Sequence, residues 1–264
     1  MPGCGTRLSR PLAVLIAGLA FGHATPADGE SAFVLAWPAS LGRVPATTYD
    51  DHGTPLGDAN LLIEQLDNGR IRVFSQSGQM RGAHTVATAE LAPVQVGKSL
   101  RLVRQDSHSF DPQGQSIGMM SIDHVERRAR CLDSDGSIQS ELELPAEDRV
   151  VNVPLNLLFL PLVRGEAREL RFQLFLCRTH AQLLDFEAWV AGQAHHGDLE
   201  PVEVRYAPDL GLLSPLARQM VPKLSFWFDP RAPYGWIAHR LPLYTGGPEV
   251  LVVRQGVSTA ALAN

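Results

Sequence analysis

From residue 33 onward the chain is written in short runs of apolar and polar residues separated by turn chemistry. In residues 70–75 polar and apolar side chains nearly alternate, and residues 137–144 set Ile138, Leu142 and Leu144 among polar neighbours. Residues 170–177 carry Phe172, Leu174 and Leu176 on every second position. A period of two is that of a strand with one buried face and one wet face. The same reasoning predicts strands over 98–106, 183–190, 202–206, 223–228, 235–241 and 250–254. Between the runs stand Asp50-Asp51-His52-Gly53, Asp67-Asn68-Gly69, Asp111-Pro112-Gln113-Gly114 and Asp133-Ser134-Asp135-Gly136. These residues tolerate positive φ and bond back to their own backbone, as tight turns require. Asn68-Gly69, between runs 59–66 and 70–75, is the strongest hairpin signal. Helix is scarce, with a turn or two expected at 154–160 and 214–221, each opened by a cap or first-turn proline. No linker, low-complexity segment or fixed repeat interrupts the pattern. It predicts a single mainly β domain over 33–257, an antiparallel curved sheet forming an open half-barrel or barrel with one or two short helices.

The first residues follow another logic. Arg7 and Arg10 precede an apolar run over 11–22, and Gly22-His23-Ala24 offers small residues where signal peptidase needs them. This run is too short to span a bilayer, which takes roughly 20 apolar residues. The expectation is a signal peptide over 1–24, a flexible tail over 25–32, a second tail over 258–264, and a periplasmic or secreted protein. No cysteine follows the run to accept lipid. The richest later stretch, 150–163, is broken by Asn152, Pro154, Asn156 and Pro161, so no transmembrane anchor is expected after processing. A chain of 264 residues buries enough surface to need no staple.

Charge narrows the partners. The formal net charge is −5, and the one tight basic cluster, Arg127, Arg128 and Arg130, is flanked by Glu126 and Asp133. Without a basic stripe and interleaved aromatics, nucleic acid is not expected as a partner. Downstream of the signal stand Cys131 and Cys177, which in an oxidising compartment have one pairing open to them. The alternative is two separate buried thiols. A disulfide closing that loop would stabilise the fold by about 4 kcal/mol.

Catalytic signals are thin. Gly114-Gln115-Ser116-Ile117-Gly118 matches G-x-S-x-G, and Asp209 and His239 follow in the order of an α/β-hydrolase triad. The strand–helix alternation such an enzyme requires is missing, although 119–130 also reads as a helix with Ile122, Val125 and Ala129 inward. His195-His196 are adjacent, so on a strand they point to opposite faces. Asp133-x-Asp135-Gly136 lacks the remaining ligands of a calcium loop. No catalytic residue, metal or cofactor is assigned. Residues 223–254 are chemically denser and hold half of the four tryptophans. There the strands 223–228 and 235–241 should pair as a hairpin. The expected ligand-binding residues are Trp227, Trp236 and Arg240, sharing a concave face, together with Tyr244. His239 is expected on the reverse face as a hydrogen-bonded structural residue.

Three pieces of sequence resemble a known family: Tyr49-x-x-x-Gly53-x-x-x-Gly57, Ser107-x-Ser109-Phe110-Asp111, and Val153-Pro154-Leu155-x-Leu157-Leu158 with the later Phe226-Trp227-Phe228-Asp229. The family comprises exported bacterial proteins of unknown function in which an antiparallel sheet curls into a half-barrel, similar in shape to periplasmic carriers of outer-membrane lipoproteins. The resemblance implies an exported envelope protein whose curved sheet holds a lipid or another apolar or amphipathic small molecule. Two other classes stay open: a serine hydrolase using Ser116, and a structural partner of an envelope protein docked through an exposed strand edge.

Overall fold

The computed structural model describes residues 33–78, 82–177, 179–193, 200–211 and 224–262. The expected signal peptide and first tail lie outside these residues, as do the 214–221 helix and the His195-His196 pair.

The described residues form one 15-stranded antiparallel sheet, built as two meanders. The first runs through β2 (Gly42–Tyr49), β3 (Pro55–Gln65), β4 (Ile71–Gly78), β5 (His84–Gln95), β6 (Ser99–Phe110), β7 (Ser116–Asp123), β8 (Arg128–Leu132) and β9 (Ile138–Glu143). The second comprises β10 (Glu169–Cys177), β11 (Ala181–Gln193), β12 (Val202–Pro208), β13 (Leu224–Phe228), β14 (Trp236–Pro242) and β15 (Glu249–Arg254). A short β1 (Leu35–Ala36) pairs with β6. The last strand, β15, pairs with β2 and joins the meanders, leaving β9 and β10 as the ends of the path. Among the described residues the sheet is curled but not closed by a strand ladder.

Local chemistry explains the hairpins. Asn68 Oδ1 accepts a bond from the Arg70 amide at 3.0 Å, and Gly69 takes φ 77°, a conformation that glycine reaches without steric cost. Residues 119–130 are not helical. They belong to the β7–β8 hairpin, where Ile122 pairs with Ala129 and both are buried. Cross-strand burial outweighs the helical spacing of the same apolar residues. On the exposed face, Arg70 and Arg72 pair with Glu90 and Glu64, and Arg128 and Arg130 with Glu141. The basic cluster is thus part of a solvated strand face.

Between β9 and β10 the chain crosses the interior as two single-turn helices, α1 (Leu155–Leu158) and α2 (Leu160–Val163). Turns this short gain almost nothing from their own hydrogen bonds. Burial holds them: Leu155, Leu157, Leu158, Leu160 and Leu162 are buried, and Phe159 between them is fully buried. The Phe159 ring meets Phe226 at 5.3 Å, Tyr206 at 5.6 Å and Phe172 at 5.9 Å. The helices thereby plug part of the space inside the curl.

The open seam is held by other means. Cys131 on β8 and Cys177 on β10 are joined by a disulfide, with Cα atoms 5.5 Å apart. Val150 makes a parallel bridge to Gln173 of β10. Asn152 exchanges two bonds with the Phe175 backbone, at 2.8 and 2.9 Å. Gln105 of β6, almost wholly buried, donates to Val150 O at 3.0 Å and accepts from the Asn152 and Val153 amides at 2.7 and 2.8 Å. With both lone-pair directions of Oε1 engaged, its nitrogen meets His124 Nε2 at 2.6 Å. An amide nitrogen only donates, so His124 accepts there and donates from Nδ1 to Asp148 at 2.7 Å.

Candidate functional site

The curled sheet forms a half-open cavity of about 520 Å³ between its inner face and the crossover that carries α1, a size typical of small-molecule sites. Strands β10–β14 contribute apolar wall, including Leu174, Leu184, Phe186, Phe226 and Leu241. Strands β4–β6 contribute hydroxyls: Ser75 and Ser77, Thr85, Ser107 and Ser109. These form a contiguous band, because Ser77 pairs with Thr85, Thr85 with Ser109, and Ala87 with both Ser75 and Ser107. Thr85 Oγ1 donates to Leu243 O at 2.7 Å, tying this band to the loop after β14. Among the described residues, no Asp, Glu, Lys or Arg lines the cavity.

The β13–β14 hairpin decides which predicted residues reach the cavity. Phe226 and Phe228 alternate inward, so Ser225 and Trp227 face out. Opposite them, Phe228 pairs with Trp236 and Trp227 with Ala238, which leaves Ile237 as an extra residue, a β-bulge. The bulge reverses the phase of β14. Trp236 lies inward, Ile237 and Ala238 pack outward, and His239, paired with Phe226, is inward again. The expectation of one concave face for Trp227, Trp236 and Arg240 is corrected accordingly. Trp236 and Tyr244 line the cavity, whereas Trp227 is buried on the outer face among Ile237, Leu251, Val253 and Leu262. Arg240 covers that outer cluster, its guanidinium 5.8 Å from the Trp227 ring centre and 3.7 Å from Glu249. Leu262 belongs to a short 3-10 helix, Thr259–Leu262, within the segment expected as a tail. His239 is likewise corrected: it lines the cavity and has no hydrogen-bond partner among the described residues.

Three hydrogen-bonding side chains stand together in this apolar wall. The His239 ring centre is 5.4 Å from Trp236 and 5.2 Å from Phe226, and Tyr206 is 6.4 Å from Phe226 on the other side. Burial pushes the His239 pKa down to about 4, so near neutral pH the ring is uncharged. Burial also raises the Tyr206 phenol above its usual range, keeping it protonated. The indole nitrogen of Trp236 is buried without a hydrogen-bond partner. Tyr206 and His239 were not among the expected binding residues. Tyr206 was legible as the inward partner of Val204 in an alternating strand, but His239 was hidden by the bulge.

Ser116 does not meet the residues that its motif order suggested. Its Oγ lies 2.7 Å from His108 Nε2 of the neighbouring strand. Asp209 lies 3.8 Å from Arg171 instead. Burial and the neighbouring His84 lower the His108 pKa. Ser116 pairs with Phe110 in register, and His108 and Phe110 alternate with the cavity-lining Ser107 and Ser109. The Ser116–His108 pair thus sits on the face away from the cavity. The Asp133–Ser137 segment is a tight turn in which Asp135 Oδ1 accepts from the Ser137 amide at 2.9 Å.

Fold and site together define a curled, open antiparallel β-sheet protein with a half-open cavity in its concave side, lined among the described residues by apolar and neutral polar side chains. Among solved structures, the chain is similar to a β-barrel-like protein of the domain of unknown function DUF1849 from Brucella abortus. The two are 10% identical, with a TM-score of 0.33, over 81% of this chain and 98% of that one. No family model matches the chain, and no curated protein does. Among the described residues no helix is long and apolar enough to cross a membrane.

Proposed function

We propose that the protein is exported and holds an apolar or amphipathic small molecule inside its curled sheet. The cavity carries this reading: about 520 Å³, mostly apolar, hydroxyl-lined on one part and free of charged side chains among the described residues. Burying a charge without a partner is costly, whereas alkyl groups gain free energy on leaving water. Export is supported by the basic and apolar start of the chain and by the Cys131–Cys177 disulfide, since such bonds persist in oxidising compartments. Native mass spectrometry of the protein recovered from its own cells tests the proposal. A co-purifying species released by organic solvent is the expected result, and a spectrum of bare protein under conditions that retain added detergent counts against it.

A second reading, an esterase acting through Ser116, rests on the 2.7 Å contact with His108. A fluorophosphonate probe tests it directly. Labelling of Ser116 that is lost in His108→Ala would establish an activated hydroxyl; an unlabelled Ser116 removes the reading.

A further inference from the structure

Resting on the cavity reading, we infer that the bound molecule carries an electrically neutral hydrogen-bonding group, an alcohol or an ester or amide carbonyl, which is recognised by Tyr206, Trp236 and His239. Buried polar groups in folded proteins are almost always paired. Here the Trp236 indole N–H is buried with no hydrogen-bond partner, and Tyr206 and His239 line the same stretch of cavity wall, on β12 and β14 either side of Phe226. Their chemistry is complementary. An indole N–H only donates, a phenol donates and accepts, and a neutral imidazole does both through its two nitrogens. A hydroxyl or carbonyl oxygen satisfies this set, accepting from the indole or phenol while a hydroxyl proton goes to the imidazole.

Charge argues the same way. A carboxylate or phosphate at this spot finds no Lys or Arg among the described lining residues. A cationic head finds no Asp or Glu. The basic residue nearest in sequence, Arg240, is on the outer face and is engaged with Trp227 and Glu249. An ionised head group entering the cavity would therefore lose its hydration for dipoles alone, and burial of an unpaired charge is strongly disfavoured. The hydroxyl band on β4–β6, from Ser75 to Ser109, adds a second polar surface that is again neutral.

The test is displacement of the neutral fluorophore N-phenyl-1-naphthylamine from delipidated full-length mature protein at pH 7.5, using four probes of one chain length: dodecane, dodecanol, dodecanoate and dodecyltrimethylammonium. The inference expects dodecanol to compete at least tenfold better than either ionic probe and better than dodecane. It also expects the advantage over dodecane to shrink severalfold in Tyr206→Phe and in the double variant Tyr206→Phe, His239→Phe. Each change removes a hydrogen-bonding group while keeping an aromatic ring. Should the double variant unfold, the single variant carries the same comparison. If dodecanoate competes as well as dodecanol, the neutral-head inference is wrong while the cavity reading stands. If dodecanol keeps its full advantage in folded variants, these side chains are not what reads the head group. If neither the fluorophore nor any probe binds, the cavity reading itself fails.

Discussion

Trp236 and His239 lie three positions apart on β14, yet both face the cavity with ring centres 5.4 Å apart. In an unbroken strand, residues of opposite parity face opposite ways. The bulged Ile237 absorbs the odd step and packs against Trp227 on the outside. One inserted residue thus assembles the polar part of the cavity wall and, at the same time, an outer apolar cluster.

The first prediction separates these two faces. Trp227→Ala should destabilise the protein by about 3–5 kcal/mol, the usual range for a buried large aromatic, and lower the urea midpoint. Arg240→Ala should cost about 1 kcal/mol, since its guanidinium is partly exposed and the lost contacts are a long ion pair, a cation–π stack and a 3.5 Å hydrogen bond donated to Leu262 O. Neither should change fluorophore affinity in the folded fraction. Loss of binding by folded Arg240→Ala would overturn the assignment of this side chain to the outer face.

A second prediction concerns pH. His239 titrates at about 4 in the folded protein and at about 6.5 when unfolded. Between those values the unfolded chain binds a proton that the folded chain refuses, so stability rises with pH. The contribution is complete above pH ~6.5 and is lost progressively as pH falls towards 4. It amounts to at most ~3 kcal/mol, less to the extent that the ring meets water in the cavity. Urea melts at pH 4–8 should show a shallower acid limb in His239→Phe than in the parent. Parallel limbs would show that His239 is not buried in neutral form.

Third, the seam depends on Gln105. Its side chain bonds Val150 O, the Asn152 and Val153 amides and His124. Gln105→Ala leaves these groups buried without partners and should cost about 3 kcal/mol. Hydrogen exchange at Asn152 and Val153 should accelerate before that of the β3–β4 hairpin. Equal acceleration everywhere would mean that the crossover opens only with global unfolding.

Fourth, breaking the Cys131–Cys177 bond should lower stability by about 4 kcal/mol, because the unfolded chain regains the freedom of a loop spanning a separation of 46 residues. Urea melts with and without reductant measure it, with Cys131→Ala, Cys177→Ala as the control that no longer responds. An unchanged midpoint on full reduction would place the holding of the seam in the Gln105 and Asn152 network alone.

Residue pattern alone determined much of this protein. Period-two runs bounded by Asp, Asn and Gly marked most of the strands and the hairpin at Asn68-Gly69, because side-chain alternation and positive φ are local properties. For the two cysteines the pattern left either one bridge or two separate buried thiols, and the structure shows the bridge. Tertiary structure decided the rest. Alternation shows that Phe226 and Trp227 face opposite ways, but not which face is concave, since both carry large apolar side chains and each is buried by a different partner. The helix plug covers the inner face, and the C-terminal turn with Leu262 covers the outer one. Nor does sequence announce a bulge: Ile237 becomes the extra residue only because the turn from Asp229 to Gly235 sets the register of β14 against β13. The cavity wall is in this sense a non-local product. Tyr206 comes from β12 and Trp236 and His239 from β14, and only the pairing of those strands with β13 around Phe226 brings the three onto one wall.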